Sequence, residues 1–263
     1  MSKKYELTNE TKTLADGTVL HRIRALRDIP RFGVKAGELG GFVEVENNLS
    51  QDGDAWVYGN AEVSDNACVS DNACVSDNAW VSGNAKVSGN ACVYGNAWVY
   101  GNAWVYGNAK VSGNAKVSGN AKVSDNAKVS DNAWVYGDAW VSDSACVSGN
   151  AKVSGNACVS DSACVSDNAW VYGDAWVSGD ANVENGHDYF VAKNTWSSLR
   201  WFTYTSSNKK WAVGCFHGTG EELVAKAYNE SKLSGKCYEA IVHAVETIEA
   251  AKAEAKGESN GSK

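Results

Sequence analysis

The side chains able to do chemistry are few and unevenly placed. The four histidines are His21, His187, His217 and His243, so the whole chain between His21 and His187 carries none. General base work and most transition-metal centres need His, Cys, Asp or Glu to converge in space. Eight cysteines include no C-x-x-C pair, which argues against zinc and for reduced thiols in a cytoplasmic protein. The sharpest small-ligand signal is His217-Gly218-Thr219-Gly220-Glu221-Glu222, at an expected strand-to-helix junction. N–H groups at a helix start can hold a phosphate or carboxylate. Here Thr219 and Glu222 form a capping box that satisfies those donors internally, and two adjacent Glu repel an anion. Simple capping is the favoured reading.

The other notable side chains, Trp, Lys, Cys and Asp, are set into a six-residue unit, Ala-x-Val-(Ser/Tyr)-(Gly/Asp)-(Asn/Asp/Ser). Ala recurs every sixth position from Ala55 to Ala181, and Val follows two positions later from Val57 to Val183. Period 6 does not fit a 3.6-residue helix, and each unit carries Gly, Asn or Asp. A strand fits: Ala and Val point to one side and the residue between them to the other. The next pair of residues tolerates left-handed backbone and turns the chain. Short strands and turns at a fixed period predict a solenoid over 43–186.

The repeat resembles the hexapeptide-repeat left-handed β-helix, whose units read aliphatic, three variable residues, then a small residue: here Val57, Ala61, then Val63. The wording Trp-Val-Tyr-Gly-Asn-Ala is similar, more narrowly, to the YdcK-type β-solenoid repeat proteins. So are the openings His21-Arg22-Ile23-Arg24-Ala25-Leu26-Arg27-Asp28 and Gly40-Gly41-Phe42-Val43-Glu44. The resemblance implies left-handed coils of three units, with every third unit stacked directly, and a bacterial or prophage setting. It implies no settled activity. Acyltransferases and γ-class carbonic anhydrases of the wider class use His on the coils, and no His falls on a coil here.

Stacking of every third unit sorts the outward x positions into three faces. The first carries Trp56, Cys74, Cys92, Lys110, Lys128, Cys146, Cys164 and Asn182. The second carries Glu62, Trp80, Trp98, Lys116, Trp134, Lys152 and Trp170, with Tyr100, Tyr136 and Tyr172 beside it. The third carries Cys68, Lys86, Trp104, Lys122, Trp140, Cys158 and Trp176, a Lys/Trp alternation suited to cation–π contact. Eight outward Trp exceed what solubility asks for. Trp and Lys stems could merely shield the sheets, but an interface is the stronger reading. Asp125, Asp143 and Asp161 share one corner column and are the only candidate metal ligands, against plain solvation. No cofactor is expected.

Residues 1–42 read as a β cap, with a type I′ hairpin at Asp16-Gly17 and two degenerate units following in register from 43. About eight coils at about 4.8 Å each give a rod of roughly 38 Å. Residues 187–255 read as a small α+β module: strands at 189–191 and 200–216, then helices at 221–229 and 235–255. Residues 256–263 read as a disordered tail. The fold class is therefore mainly β, a parallel β-helix with an N-terminal β cap and a C-terminal α+β domain.

The repeat holds eleven Asp and two Glu against six Lys, which disfavours nucleic acid, and no apolar run suits a membrane. These features point to a non-catalytic binding protein that offers a rigid aromatic surface; in the phage or prophage setting that the resemblance implies, its target would be a host protein, for example a defence protein inhibited in infection. Trp201 and Trp211, with Phe202 and Tyr204, are the candidate contacts in the C-terminal module. The alternatives are a structural virion or fibre spacer, and an enzyme or small-ligand site in that module. The Trp-rich second face predicts self-association, as a trimer first and a dimer next.

Overall fold

A computed structural model describes residues 3–260. Its body is a parallel β-solenoid of about eight turns, in which 22 two-residue strands run from Trp56–Val57 to Asn182–Val183. The expected three faces are three sheets, and each strand pairs with the strand three units on, as in Trp98 with Lys116 and Val99 with Val117. Up to Cys164 each outward residue donates its N–H to an Ala carbonyl on the next coil; Trp98 N–H to Ala115 O is 2.9 Å. Inside, every Ala and Val of the repeat is buried, from Ala55 to Val183, in one continuous core. The turns need positive φ, and Gly or Asp supplies it: Gly119 at +68° and Asp125 at +58° occupy equivalent positions.

Asparagines at the corners form ladders along the rod. Asn60, Asn78, Asn96, Asn114, Asn132 and Asn150 each donate a side-chain N–H to the amide oxygen of the Asn one coil on, ending at Asn168. Aspartates at the preceding position staple adjacent coils. The carboxylates of Asp65, Asp71 and Asp77 accept the N–H of Gly83, Gly89 and Gly95 at 2.8–2.9 Å.

The N-terminal cap is β1 (Tyr5–Thr13), β2 (Val19–Ala25) and β3 (Leu39–Val43). It prolongs the second-face sheet: β2 pairs antiparallel with β3, and β3 lies parallel to Glu62–Val63. Two details depart from expectation. The β1–β2 loop is not a type I′ turn, because within Asp16-Gly17 only Gly17 has positive φ (+91°). Gly17 N–H bonds Leu14 O at 3.0 Å and the Asp16 carboxylate accepts Thr18 N–H, giving a longer loop. The degenerate units are also out of step. Val43 pairs with Val63 and Leu49 bridges Val69, so the first coil is longer than the others by two positions. The slack lies around Gln51–Asp54, where the Gln51 amide oxygen receives Lys4 N–H at 2.7 Å.

Lys4 and Tyr5 close the open end of the core. The fully buried Lys4 ammonium donates to Ala55 O at 2.8 Å and to Asp52 O at 3.4 Å. The Tyr5 hydroxyl serves Glu46 O and Leu49 O at 2.7 and 2.8 Å. Burial, aided by the Arg27 charge, pulls the Lys4 ammonium down to about 8. Burial pushes the Tyr5 phenol above its ordinary value of 10.0. Between about pH 8 and 10 the unfolded chain therefore holds the proton on Lys4 that the folded chain releases, and the Lys4 contribution to stability rises with pH. Above pH 10 the sign reverses, because only the unfolded Tyr5 ionises. Burial also raises the thiols of Cys68, Cys158 and Cys164, which lowers stability as the unfolded chain ionises around pH 9. The Lys4 effect is therefore read as a difference: the thermal stability of the parent relative to Lys4→Met should grow between pH 8 and 10.

At the other end, an antiparallel sheet of Tyr189–Lys193, Trp201–Thr205, Lys210–Val213 and Phe216–Gly218 leads into α1 (Gly220–Glu230) and α2 (Lys232–Asn260). A second turn at Gly214 (φ +57°) breaks the stretch expected as one hairpin. The second helix begins earlier than expected and takes in residues 256–260 of the expected tail; 261–263 lie outside the described residues. The module caps the last coil on all three faces. Thr203 Oγ1 accepts Trp176 N–H at 2.8 Å, Ser207 Oγ accepts Asn182 N–H at 2.7 Å, and Tyr189 Oη donates to Trp170 O at 2.8 Å.

Candidate interaction surface

The aromatic columns form as expected, with one exception. Trp56 is buried beneath the cap, edge-on to Tyr5 at 6.4 Å, and is core. The other seven solenoid tryptophans lie outside. Trp98, Trp104, Trp140 and Trp170 keep 40–49% of their surface in solvent, while Trp80, Trp134 and Trp176 are half-buried.

Their orientation is set by a residue that the face analysis left out, the Ser two positions after each x. The indole N–H of Trp80, Trp104, Trp134, Trp140, Trp170 and Trp176 donates to such a Ser hydroxyl on the preceding coil, at 2.9–3.3 Å. Each ring thus leans back over that coil and is held there. Trp98 departs from the rule because Trp80 stands directly before it in the column, and the two rings meet edge to face at 5.2 Å. The resulting cleft, about 290 Å³, is lined by Trp80, Ser82, Trp98 and Tyr100.

Lysines sit over these rings on both Trp-bearing faces. Lys86 is 6.0 Å from the Trp104 ring on the third face; Lys116 is 4.9 Å from Trp98 and Lys152 5.9 Å from Trp170 on the second. Such contacts contribute about 0.5–1 kcal/mol each at exposed sites. They fix the rings without covering them.

The C-terminal aromatics behave differently. Trp211, Phe202 and Tyr204 are buried with Leu223, Tyr238 and Val242 between sheet and helices. They are core, since their strand positions face α1 and α2, and the expectation of a contact surface there is corrected. Trp201, on the opposite strand face, stays half-buried with Lys193 5.2 Å from its ring.

The His217–Gly220 segment is occupied by structure. Thr219 Oγ1 accepts Glu222 N–H at 3.2 Å, and the Glu222 carboxylate accepts Thr219 N–H at 2.8 Å, the reciprocal capping box. Those hydrogen bonds hold the Glu222 carboxyl below its usual range. A Cβ on Gly218 would lie 2.5 Å from Glu222 Oε2, so that carboxylate fills the space an anion would need. His217 Nδ1 is 2.8 Å from Ser178 Oγ, and its ring stands edge-on to Trp176 at 4.7 Å. It ties the module to the rod.

Asp125, Asp143 and Asp161 do share one corner, and their carboxylates are engaged locally. Asp125 and Asp143 accept the neighbouring Ser124 and Ser142 hydroxyls at 2.8 and 3.0 Å, and Asp161 accepts Gly179 N–H at 2.9 Å. Among the described residues no group of three or more His, Cys, Asp or Glu is arranged to hold a metal ion. All eight cysteines are free thiols, with Cys74 beside Cys92 and Cys146 beside Cys164 as strand partners. The Cys74–Cys92 contact, helped by Lys110 and Arg31, favours the Cys92 thiolate over the Cys74 one. No described helix is long and apolar enough to cross a membrane.

A stack of about eight parallel coils with outward Trp columns defines a β-solenoid repeat protein. Its repeat is similar to the YdcK beta solenoid repeat, whose family model matches residues 81–101. No curated protein matches the chain.

Proposed function

We propose that this chain is a non-catalytic binding protein whose two Trp-bearing faces meet a protein partner. The observation that carries this reading is the exposure of Trp98, Trp104, Trp140 and Trp170 at 40–49% on short, tightly bonded strands. A tryptophan already held by a serine or a lysine loses little freedom on contact, which suits it to anchor an interface. The resemblance of the repeat adds a phage or prophage setting, with a host protein as target. The same faces support a trimer, or a dimer next, through the Trp80–Trp98–Trp134–Trp170 column.

Capture from a bacterial lysate tests the reading. The full-length chain should retain a stoichiometric partner, and the double variant Trp98→Ala/Trp140→Ala should lose it at least 30-fold, about 2 kcal/mol as for hot-spot residues. A structural spacer is the second reading, favoured by the unbroken asparagine ladders, which stiffen the rod. Under it, the same double variant captures whatever the parent does.

A further inference from the structure

The solenoid ends beside a cavity of about 550 Å³, between its last second-face strand and the C-terminal sheet. This volume falls in the usual range for small-molecule sites, about 300–1,000 Å³. Two features of the ending meet there. The first is a set of ladder groups that run out of partners. Asn168 accepts from Asn150, but the equivalent position one coil on is Gly186, so the Asn168 side-chain N–H finds no next amide. On earlier coils the N–H of the x residue goes to an Ala of the next coil, as in Trp134 to Ala151; beyond Trp170 there is no next coil. Asp174 takes Asn156 on one oxygen at 3.1 Å, and its other oxygen is left for a new donor. The second feature is aromatic walls: Trp170 and Tyr172 from the rod, Phe190 and Trp201 from the module.

The chemistry of the walls selects a ligand class. An anion would meet the Asp174 carboxylate. An organic cation would meet Lys152 at 5.9 Å from the Trp170 ring and Lys193 at 5.2 Å from the Trp201 ring, which already supply the positive charge those rings attract. A wholly apolar molecule would bury the Asn168 amide and the Asp174 carboxylate without partners, a desolvation penalty that falls hardest on the charged group. A neutral ring with C–H faces and equatorial hydroxyls meets every requirement. Its faces lie on the indoles, its hydroxyls donate to Asp174, and its oxygens accept from Asn168. We propose that this cavity is a binding site for a neutral saccharide of one or two pyranose units. The site lies beyond the protein-binding reading but shares Trp170 with its tryptophan column, so Asp174→Asn, which leaves that column intact, separates the failure of one from the failure of the other.

The full-length protein is applied to an array of neutral, sialylated and sulfated glycans, and the best neutral binder is titrated by tryptophan fluorescence, with choline as the cationic probe. The expected Kd for a neutral disaccharide is about 1 mM or tighter. Asp174→Asn, which keeps the shape, and Trp170→Ala should each weaken binding tenfold or more, while Lys128→Ala on the first face leaves it unchanged. Retention of no neutral glycan overturns the proposal. So does tighter binding of sialylated glycans or choline, or neutral binding that survives both Asp174→Asn and Trp170→Ala.

Discussion

Val117→Asp should unfold the middle of the rod, whereas Lys116→Asp, at the preceding position, should barely register. Val117 is fully buried among stacked Val side chains of neighbouring coils, Val99 before it and Val135 after it. The substitution forfeits roughly 1.5–3 kcal/mol of burial and places a carboxylate where no donor can reach it, for a total loss of about 5 kcal/mol or more. Lys116 points outward and contributes a single contact over the Trp98 ring, so its loss costs about 1 kcal/mol at most. Repeat arrays depend on nearest-neighbour interfaces, so one broken coil uncouples the rod on either side. Thermal unfolding followed by circular dichroism checks both variants: a large fall and splitting of the transition for Val117→Asp, and a shift of only a few degrees for Lys116→Asp.

Gly119→Val should be the most damaging change at a turn, and Gly119→Asp should be tolerated. Gly119 sits at φ +68°, and a Cβ there would come within 2.9–3.0 Å of the Gly137 backbone on the next coil. A β-branched residue is opposed twice: by left-handed backbone, at about 1–2 kcal/mol, and by the second γ-branch that it brings against the next coil, beyond a Cβ contact that the coils already absorb at the Asp corners. Asp meets the same local strain less heavily and adds a bond. At the equivalent position Asp131 adopts φ +60° and accepts Gly149 N–H at 3.2 Å. Asp143 directly preceding Asp161 in one column also shows that adjacent coils accommodate two such side chains. The expected losses are about 3 kcal/mol for Val and under about 1 kcal/mol for Asp, read from thermal or denaturant midpoints.

The solenoid was legible because each of its requirements falls on a fixed residue type. Ala and Val fill a thin core, Gly or Asp turns the chain, and Asn bonds along the corner; the stacking of every third unit, implied by the resemblance of the repeat, is what the strand pairing has. Where the repeat loosens, so does the inference. The longer first coil follows from Lys4 and Tyr5 reaching Gln51, Asp52 and Ala55, contacts so distant along the chain that no local pattern records them. Trp56 reads as outward by periodicity and is buried only because the cap folds over it. In the C-terminal module Trp201 and Trp211 differ by strand register, which decides that one meets solvent and the other the helices; aromatic content alone could not separate them. The Ser that orients six of the solenoid tryptophans was visible all along, at a constant offset from the ring. Its role emerges only when the ring is seen to lean back over the preceding coil.

The claim at the centre of this account is that the tryptophan columns are contact surfaces, and the most direct measurement on it needs no partner in hand. Light scattering of the purified full-length chain at micromolar concentration reports its mass beside the 28.0 kDa of one chain. Of the four column tryptophans, Trp98 and Trp170 keep 40 and 49% of their surface in solvent and Trp80 and Trp134 less. Together they supply about half, at most, of a half-interface of roughly 800 Å², and the lysines and tyrosines beside them must supply the rest. The account predicts a mass three times that of one chain, falling to a single chain in Trp98→Ala/Trp170→Ala. A single-chain mass for the parent protein, unchanged in that variant, would contradict self-association through the column and leave a protein partner as the occupant of the Trp faces.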